Sequence, residues 1–296
     1  MERRFFMKQR SVVPLLLPTI IVYAAIFLIP LGYVLYMSTL KWNIISFVKE
    51  PYGLQNYFDI LRDNNFWNAL WVTFKYTISA VSLELLFGYA IALLLNMKAK
   101  GGGVVRSVLM LPQFIAPILI ALTWRTVFNP DFGLLNYLLG VIGLKGSLWV
   151  SSTHSAFASV MLVEVWQWTP YMAIILFAGL QAIPPQYYEA ARIDGANRWQ
   201  ILRKITLPLN GMVTGVAIIF RTLGAFRSYD LIYGLTNGGP GNVTTNASLF
   251  AYRLAFEEGY VGKAAATCVI LLIVIIVICV FLSRSLGDIW ATKKST

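Results

Sequence analysis

Six stretches of the chain are apolar almost without interruption, covering approximately residues 12–40, 69–97, 104–128, 157–182, 209–231 and 264–286. A helix needs about 20 apolar residues to cross a bilayer, at a rise of about 1.5 Å per residue, and each stretch is that long. Prolines mark the pattern. Pro14, Pro18 and Pro30 fall inside the first run, and Pro184, Pro185 and Pro208 bound a polar connection over 183–208. The pattern predicts an all-α polytopic membrane protein of six spans, forming a single transmembrane domain over residues 1–296. It contains no internal repeat and no low-complexity segment.

Composition narrows the class further. Of 296 residues, 58% are hydrophobic and 12% charged, and mean hydropathy is +0.67. A soluble domain is about a quarter charged, so this chain has too little polar surface to cover a water-soluble body. A soluble enzyme, a disordered chain, a coiled coil and a secreted disulfide scaffold are excluded. The two cysteines, Cys268 and Cys279, share the last run. Their separation on one helix, roughly 16 Å, is too long for a disulfide. The basic start from Met1 to Arg10 resembles a signal-peptide n-region, but the run after it is too long and lacks a small-residue cleavage site. It reads as an uncleaved anchor.

Basic residues set the orientation. With the N-terminus cytoplasmic, the inner side holds fourteen: Arg3, Arg4, Lys8 and Arg10, then Lys98, Lys100 and Arg106, then Arg192, Arg198, Arg203 and Lys204, then Arg284, Lys293 and Lys294. The outer side holds six: Lys41, Lys49, Arg62, Lys145, Arg253 and Lys263. That bias predicts both termini in the cytoplasm. The formal charge of +11 then belongs to loops facing anionic lipid rather than to a nucleic-acid site. The outer segments 41–66 and 129–156 carry aromatics suited to the interface, and a short surface helix is expected around Leu54–Asp63.

The connection 183–208 carries the most local information. Pro185 can open a helix because its missing N–H is not needed there. Residues 186–194 run without a breaker, and Gly195 suits the left-handed position just past a helix end. Asn197 followed by Gln200 looks like a capping box opening a second helix, which is expected to reach Ile205. The first helix combines small Ala190 and Ala191 with charged Glu189, Arg192 and Asp194 and the broad Tyr187 and Tyr188. That mixture suits a docking knob; an amphipathic connector on the inner leaflet would need no partner.

Glu189-Ala-Ala, three residues, Gly195, nine residues, Ile205, one residue and Leu207-Pro208 resembles the EAA loop of binding-protein-dependent ABC importer permeases at full spacing. Leu111-Pro112, Pro117, Trp124, Phe128, Asn237-Gly-Gly-Pro240, Ala255-Phe256, Gly259-Tyr260 and Ala264–Ala266 are similar to the carbohydrate-uptake branch, in particular its maltose- and glycerol-phosphate-permease-like half. The resemblance implies a type I ABC importer permease fold in a bacterial cytoplasmic (inner) membrane. It implies a second homologous permease, two cytoplasmic ATPase subunits and an extracytoplasmic solute-binding protein as partners. Glu189, Ala190, Ala191 and Gly195, with Asp194 beside them, would form the contact to the ATPase, and Asn237, Gly238, Gly239 and Pro240 would line the outer mouth. No Gly-rich phosphate loop ending in Gly-Lys-Ser/Thr is present, so ATP and Mg are expected on the ATPase subunits, with no cofactor and no metal on this chain.

Polar groups inside the spans are the candidates for a substrate path, because a charge at mid-membrane costs roughly 2.5–3.5 kcal/mol on insertion scales. Glu164 and Gln167 share a helix face, with Trp168 one turn from Glu164. An acceptor, an amide and an aromatic platform suit a sugar; packing against the second permease would use the same residues. Arg221 in the fifth span could meet substrate or pair with Glu164 or Glu84. Two other functions compete, a secondary transporter and an intramembrane enzyme built on Glu84 and Glu164. The chain lacks the repeated halves expected of the first and the zinc and serine motifs expected of the second.

Overall fold

The structure is a computed structural model, described for residues 13–97 and 102–291. The basic residues Arg3, Arg4, Lys8, Arg10, Lys98, Lys100, Lys293 and Lys294 lie outside that range. Fourteen α-helices and one small hairpin appear among the described residues. Helix α1 (Val13–Ser38) leads to strands β1 (Leu40–Asn43) and β2 (Val48–Pro51), then α2 (Gln55–Leu61) and α3 (Asn64–Asn96). The third apolar run gives α4 (Gly102–Met110), a 3₁₀ turn over Leu111–Phe114 and α5 (Pro117–Val127), followed by α6 (Leu134–Val141) and α7 (Ala156–Gln181). The polar connection forms α8 (Pro185–Ile193), α9 (Arg198–Ile201), a π turn over Leu202–Thr206 and α10 (Leu207–Leu209). Helices α11 (Gly211–Phe226), α12 (Asp230–Thr236), α13 (Ala247–Tyr252) and α14 (Val261–Ala291) complete the order.

Four helices cross a bilayer by length and apolarity, within Leu16–Ser38, Asn64–Asn96, Ala156–Gln181 and Val261–Ser285. The other two expected spans are not straight rods. The third is bent by 92° between Gly103–Phe114 and Pro117–Val127, since Pro112 and Pro117 withhold N–H donors on either side of Ile115. The fifth is bent by 63° between Arg198–Leu209 and Gly211–Phe226. The second span begins earlier than hydropathy suggests. Asp63 caps it by accepting from the Asn65 N–H at 2.8 Å, so polar Asn64, Asn65 and Asn68 belong to the helix.

The chain divides into two compact units. The first holds residues up to Arg62 together with Leu254–Ile270. Here an otherwise helical chain carries one small hairpin, in which β1 and β2 pair antiparallel with Trp42 opposite Lys49. The Lys49 ammonium lies 4.4 Å from the Trp42 ring centroid. Helix α2 sits where a surface helix is expected, and its buried Asn56 donates to the Ser38 and Leu40 carbonyls at 2.8 Å each. That bond pair ties the hairpin to the end of α1.

The second unit holds Asp63–Arg253 and the remainder of α14. Its centre is α3 packed along α7, with α11 against both. Small residues let the backbones approach: Ala69, Ala80 and Ala92 on α3, Ala173 and Gly179 on α7 and Ala217 on α11. Membrane helices rely on such close packing, since burial from lipid into protein gains no hydrophobic energy. Toward the outer end of α7 the core is aromatic, with Phe128 stacked on Trp149 and tilted against Trp124, at centroid distances of 5.2 Å each.

Candidate functional site

Three groups of residues hold the expected chemistry. The first is the cytoplasmic connection. Helix α8 starts with Pro185 and ends in a Schellman motif: the Ala196 N–H donates to the Ala191 carbonyl at 2.9 Å and the Gly195 N–H to that of Arg192 at 3.1 Å. Gly195 takes φ +75°, a conformation in which a Cβ would crowd the backbone. Asn197 Oδ1 then accepts from the Gln200 N–H at 2.9 Å, and Gln200 Oε1 from the Asn197 N–H at 2.8 Å. Two rigid helices therefore meet at a fixed corner.

The corner projects its side chains into solvent. Tyr187, Glu189, Ala190, Asp194 and Gly195 are exposed, but Ala191 is not; at 6% exposure it packs inward. The small centre of the knob is thus Ala190 alone. Sequence reasoning missed Ile193, 86% exposed, and Trp199, 66% exposed. Two large apolar residues in an otherwise polar connection are the signal that could have found them.

The second group lies inside the membrane. Arg221 on α11 donates from Nε to Glu84 Oε2 at 2.5 Å and from Nη2 to Glu84 Oε1 at 2.6 Å, the bidentate geometry favoured by a guanidinium. Nη2 also reaches Glu164 Oε1 at 2.7 Å. The Trp168 ring covers the guanidinium, its centroid 4.7 Å from Cζ. Both carboxylates and Arg221 are at most 3% exposed. The expected pairings of Arg221 with Glu164 and with Glu84 thus coexist, and Glu84 finds its partner on another helix.

Gln167 stands apart from this triad. It is fully buried, and its Nε2 donates to the Ile115 carbonyl at 3.4 Å. That carbonyl lies in the break of the third span, where the helix supplies no donor of its own. Non-helical backbone at membrane depth is stable only when protein groups satisfy it, and Gln167 does so. Glu164, Trp168 and Arg221 are brought together; Gln167 faces a different element.

The third group is the outer loop. Asn237 closes α12 in the left-handed conformation at φ +46°, and Gly238 continues it at +80°. The loop is tied internally. Thr244 Oγ1 donates to the Gly239 carbonyl at 3.1 Å, Thr245 Oγ1 to that of Gly238 at 3.1 Å, and Arg253 to the Asn237 carbonyl. Gly239–Pro240 is a cis peptide. The segment is a braced turn rather than a slack linker.

Comparison with known proteins decides the family. Residues 84–292 match the family described as binding-protein-dependent transport system inner membrane component. The chain belongs to this family. This inner membrane component is 38% identical over 267 residues to a probable ABC transporter permease of Sinorhizobium fredii, covering 90% of this chain and 86% of that one. It is 36% identical over 263 residues to the trehalose/maltose transport system permease MalF of Thermococcus litoralis, covering 88% of each. Its fold matches, with a TM-score of 0.80, a chain in the crystal structure of a bacterial alginate ABC transporter bound to an alginate-pentasaccharide-loaded periplasmic protein. Identity there is 24%, over 94% of each chain.

The inner membrane component is an ABC importer permease and works with a solute-binding protein and ATPase subunits that hydrolyse ATP. Neither competing function is supported. The carboxylates that an intramembrane enzyme would need, Glu84 and Glu164, are both consumed by Arg221.

Proposed function

We propose that this permease carries a neutral sugar of the oligosaccharide class, pairs with a second homologous permease and two ATPase subunits, and is driven through the connection 183–208. The exposed corner of α8 and α9 is the observation that carries the coupling reading. Ile193 and Trp199 enter the ATPase surface as apolar anchors, while Glu189, Asp194 and Ala190 form the rim and the close contact. The braced turn Asn237–Pro240 meets the binding protein on the other side. ATP and Mg are held by the partners, and this chain holds no cofactor.

The substrate class rests on two points. The relative named for trehalose and maltose is 36% identical to this chain over 263 residues. In addition, Arg221 already faces two carboxylates, so the one cation buried at the triad has no charge left to attract an anionic sugar. Glu164 and Trp168 remain the substrate-path candidates, with Arg221 holding them in place and Gln167 shaping the broken span beside them.

Reconstitution tests the reading. The complete transporter in proteoliposomes, supplied with its binding protein, should hydrolyse ATP faster with trehalose or maltose than with alginate oligosaccharides or glycerol phosphate. Stimulation by the anionic compounds alone would overturn the substrate class. Purification of the permease in mild detergent without any ATPase attached would overturn the coupling reading.

A further inference from the structure

The connection 183–208 returns to the membrane through α10, and the joint between α10 and α11 is a single residue, Asn210. The two arms meet there at 63°. Asn210 is fully buried, which is unusual for an amide side chain at membrane depth unless it is bound. Its Nδ2 donates to the Leu176 carbonyl on α7 at 3.1 Å and to the Tyr89 hydroxyl on α3 at 3.4 Å. Tyr89 in turn hydrogen-bonds the Thr214 hydroxyl, and Thr214 Oγ1 donates to the Asn210 carbonyl at 2.9 Å. The bonds close a ring through α3 and α11 with a branch to α7.

The other face of the amide is equally specific. Asn210 Oδ1 has no hydrogen-bond partner, and it points at Gly179 so closely that a Cβ there would lie 1.9 Å from it. Only glycine leaves room for this approach. Leu176 and Gly179 belong to the last turns of α7, the helix from which the connection departs. Both limbs of the connection are therefore fastened at one level, the outgoing limb by α7 itself and the returning limb by Asn210.

We infer that Asn210 is a positioning residue for the transport cycle, the fulcrum about which α11 turns when the ATPase moves α8. The inference rests on the coupling reading given above. With the joint clamped, displacement of the α8–α9 corner rotates α11 as a rigid rod. Arg221, eleven residues further along and roughly 16 Å away, moves with it. With the joint loosened, the same displacement is absorbed at the bend. The π turn Leu202–Thr206 just before the joint fits this account, since such turns insert an extra residue into a helix and recur at functional positions.

The test uses the whole transporter in proteoliposomes with its binding protein and reads sugar imported per ATP hydrolysed. Tyr89→Phe removes the hydroxyl and keeps the ring, and Asn210→Ala removes the amide. Both should leave an assembled complex with basal ATP hydrolysis, while import per ATP falls about fivefold or more, the scale of a typical coupling energy. A spin-label pair on α8 and α11 should show a broader distance distribution in both variants, which a loss of stability alone would not produce. Gly195→Val is the companion variant for the coupling reading. If Gly195→Val uncouples but Tyr89→Phe and Asn210→Ala keep the parent ratio, the fulcrum inference fails and the coupling reading stands. If Gly195→Val also keeps the parent ratio, the coupling reading fails. Loss of the assembled complex in Tyr89→Phe would make the joint a folding element only and overturn the inference.

Discussion

Arg221 and Glu84, 137 positions apart in the chain, form a bidentate ion pair in the interior of the helix bundle. Glu164 joins from α7, so a single guanidinium fastens α3, α7 and α11 together. Two carboxylates against one cation leave the cluster one charge negative when all three are ionised. In a low-dielectric interior such an arrangement holds only while the shared cation stays in place.

Removing the cation should therefore be far worse than removing one carboxylate charge. Arg221→Met leaves Glu84 and Glu164 without their shared cation, and breaking a buried pair in this way costs about 3–5 kcal/mol. Glu164→Gln keeps the Glu84–Arg221 pair and a hydrogen-bonding oxygen, so its cost should be about 1 kcal/mol or less. Thermal unfolding of the purified transporter in detergent measures both. A parent-like midpoint for Arg221→Met would show that the cluster does not hold the helices.

Gln167 gives a separate prediction because it removes no charge. Gln167→Ala strips the donor from the Ile115 carbonyl, leaving a part-buried acceptor unpaired at a cost of about 1 kcal/mol. The break in the third span should loosen, and import should slow while basal ATP hydrolysis and the affinity of the binding protein for sugar are unchanged. Hydrogen exchange over residues 111–120 should rise. Unchanged exchange together with unchanged import would detach Gln167 from both the broken span and the substrate path.

These two cases show what was legible in the sequence. Glu84, Glu164, Gln167 and Arg221 each stand out as polar residues in apolar runs, but their partners lie on other helices and no local pattern names them. The corner of α8 and α9 was readable in detail because Pro185, Gly195, Asn197 and Gln200 act on backbone within a few residues of themselves. The 92° break was only half visible: Pro112 and Pro117 mark where a helix loses donors, whereas the angle depends on tertiary packing. Hydropathy also missed β1 and β2, since strands of four residues are shorter than any window that finds a span. Exposure of Ile193 and inward packing of Ala191 depend on how α8 lies against its own chain, which the composition of the helix does not specify.

Orientation is open to direct labelling. With Cys268 and Cys279 replaced by Ala, a cysteine at Arg198 should react with an impermeant maleimide only from the cytoplasmic side, and one at Asn242 only from the outside. Both positions are exposed, so accessibility reports the side of the membrane. Reaction of both from one side would contradict the arrangement drawn from the basic residues.

The exposed anchors should matter more for attachment than the rim. Ile193→Asp places a charge where an apolar side chain is to be buried, and truncating a central anchor typically costs about 2 kcal/mol or more of binding. The permease should still fold, yet retain little ATPase through purification. Glu189→Lys reverses a rim charge and should weaken attachment less, in a salt-dependent manner. Equal retention of ATPase by Ile193→Asp and the parent would remove Ile193 from the contact.

Cross-linking at Ala190 tests the central claim most directly. A cysteine there, in a chain lacking Cys268 and Cys279, should form a short-linker adduct with the ATPase subunit in intact membranes. The adduct should arrest sugar-stimulated ATP hydrolysis, and cleavage of the linker should restore it. An assembled, active transporter in which Ala190→Cys reaches lipid or solvent but never the ATPase would contradict the assignment of the 183–208 connection as the coupling contact.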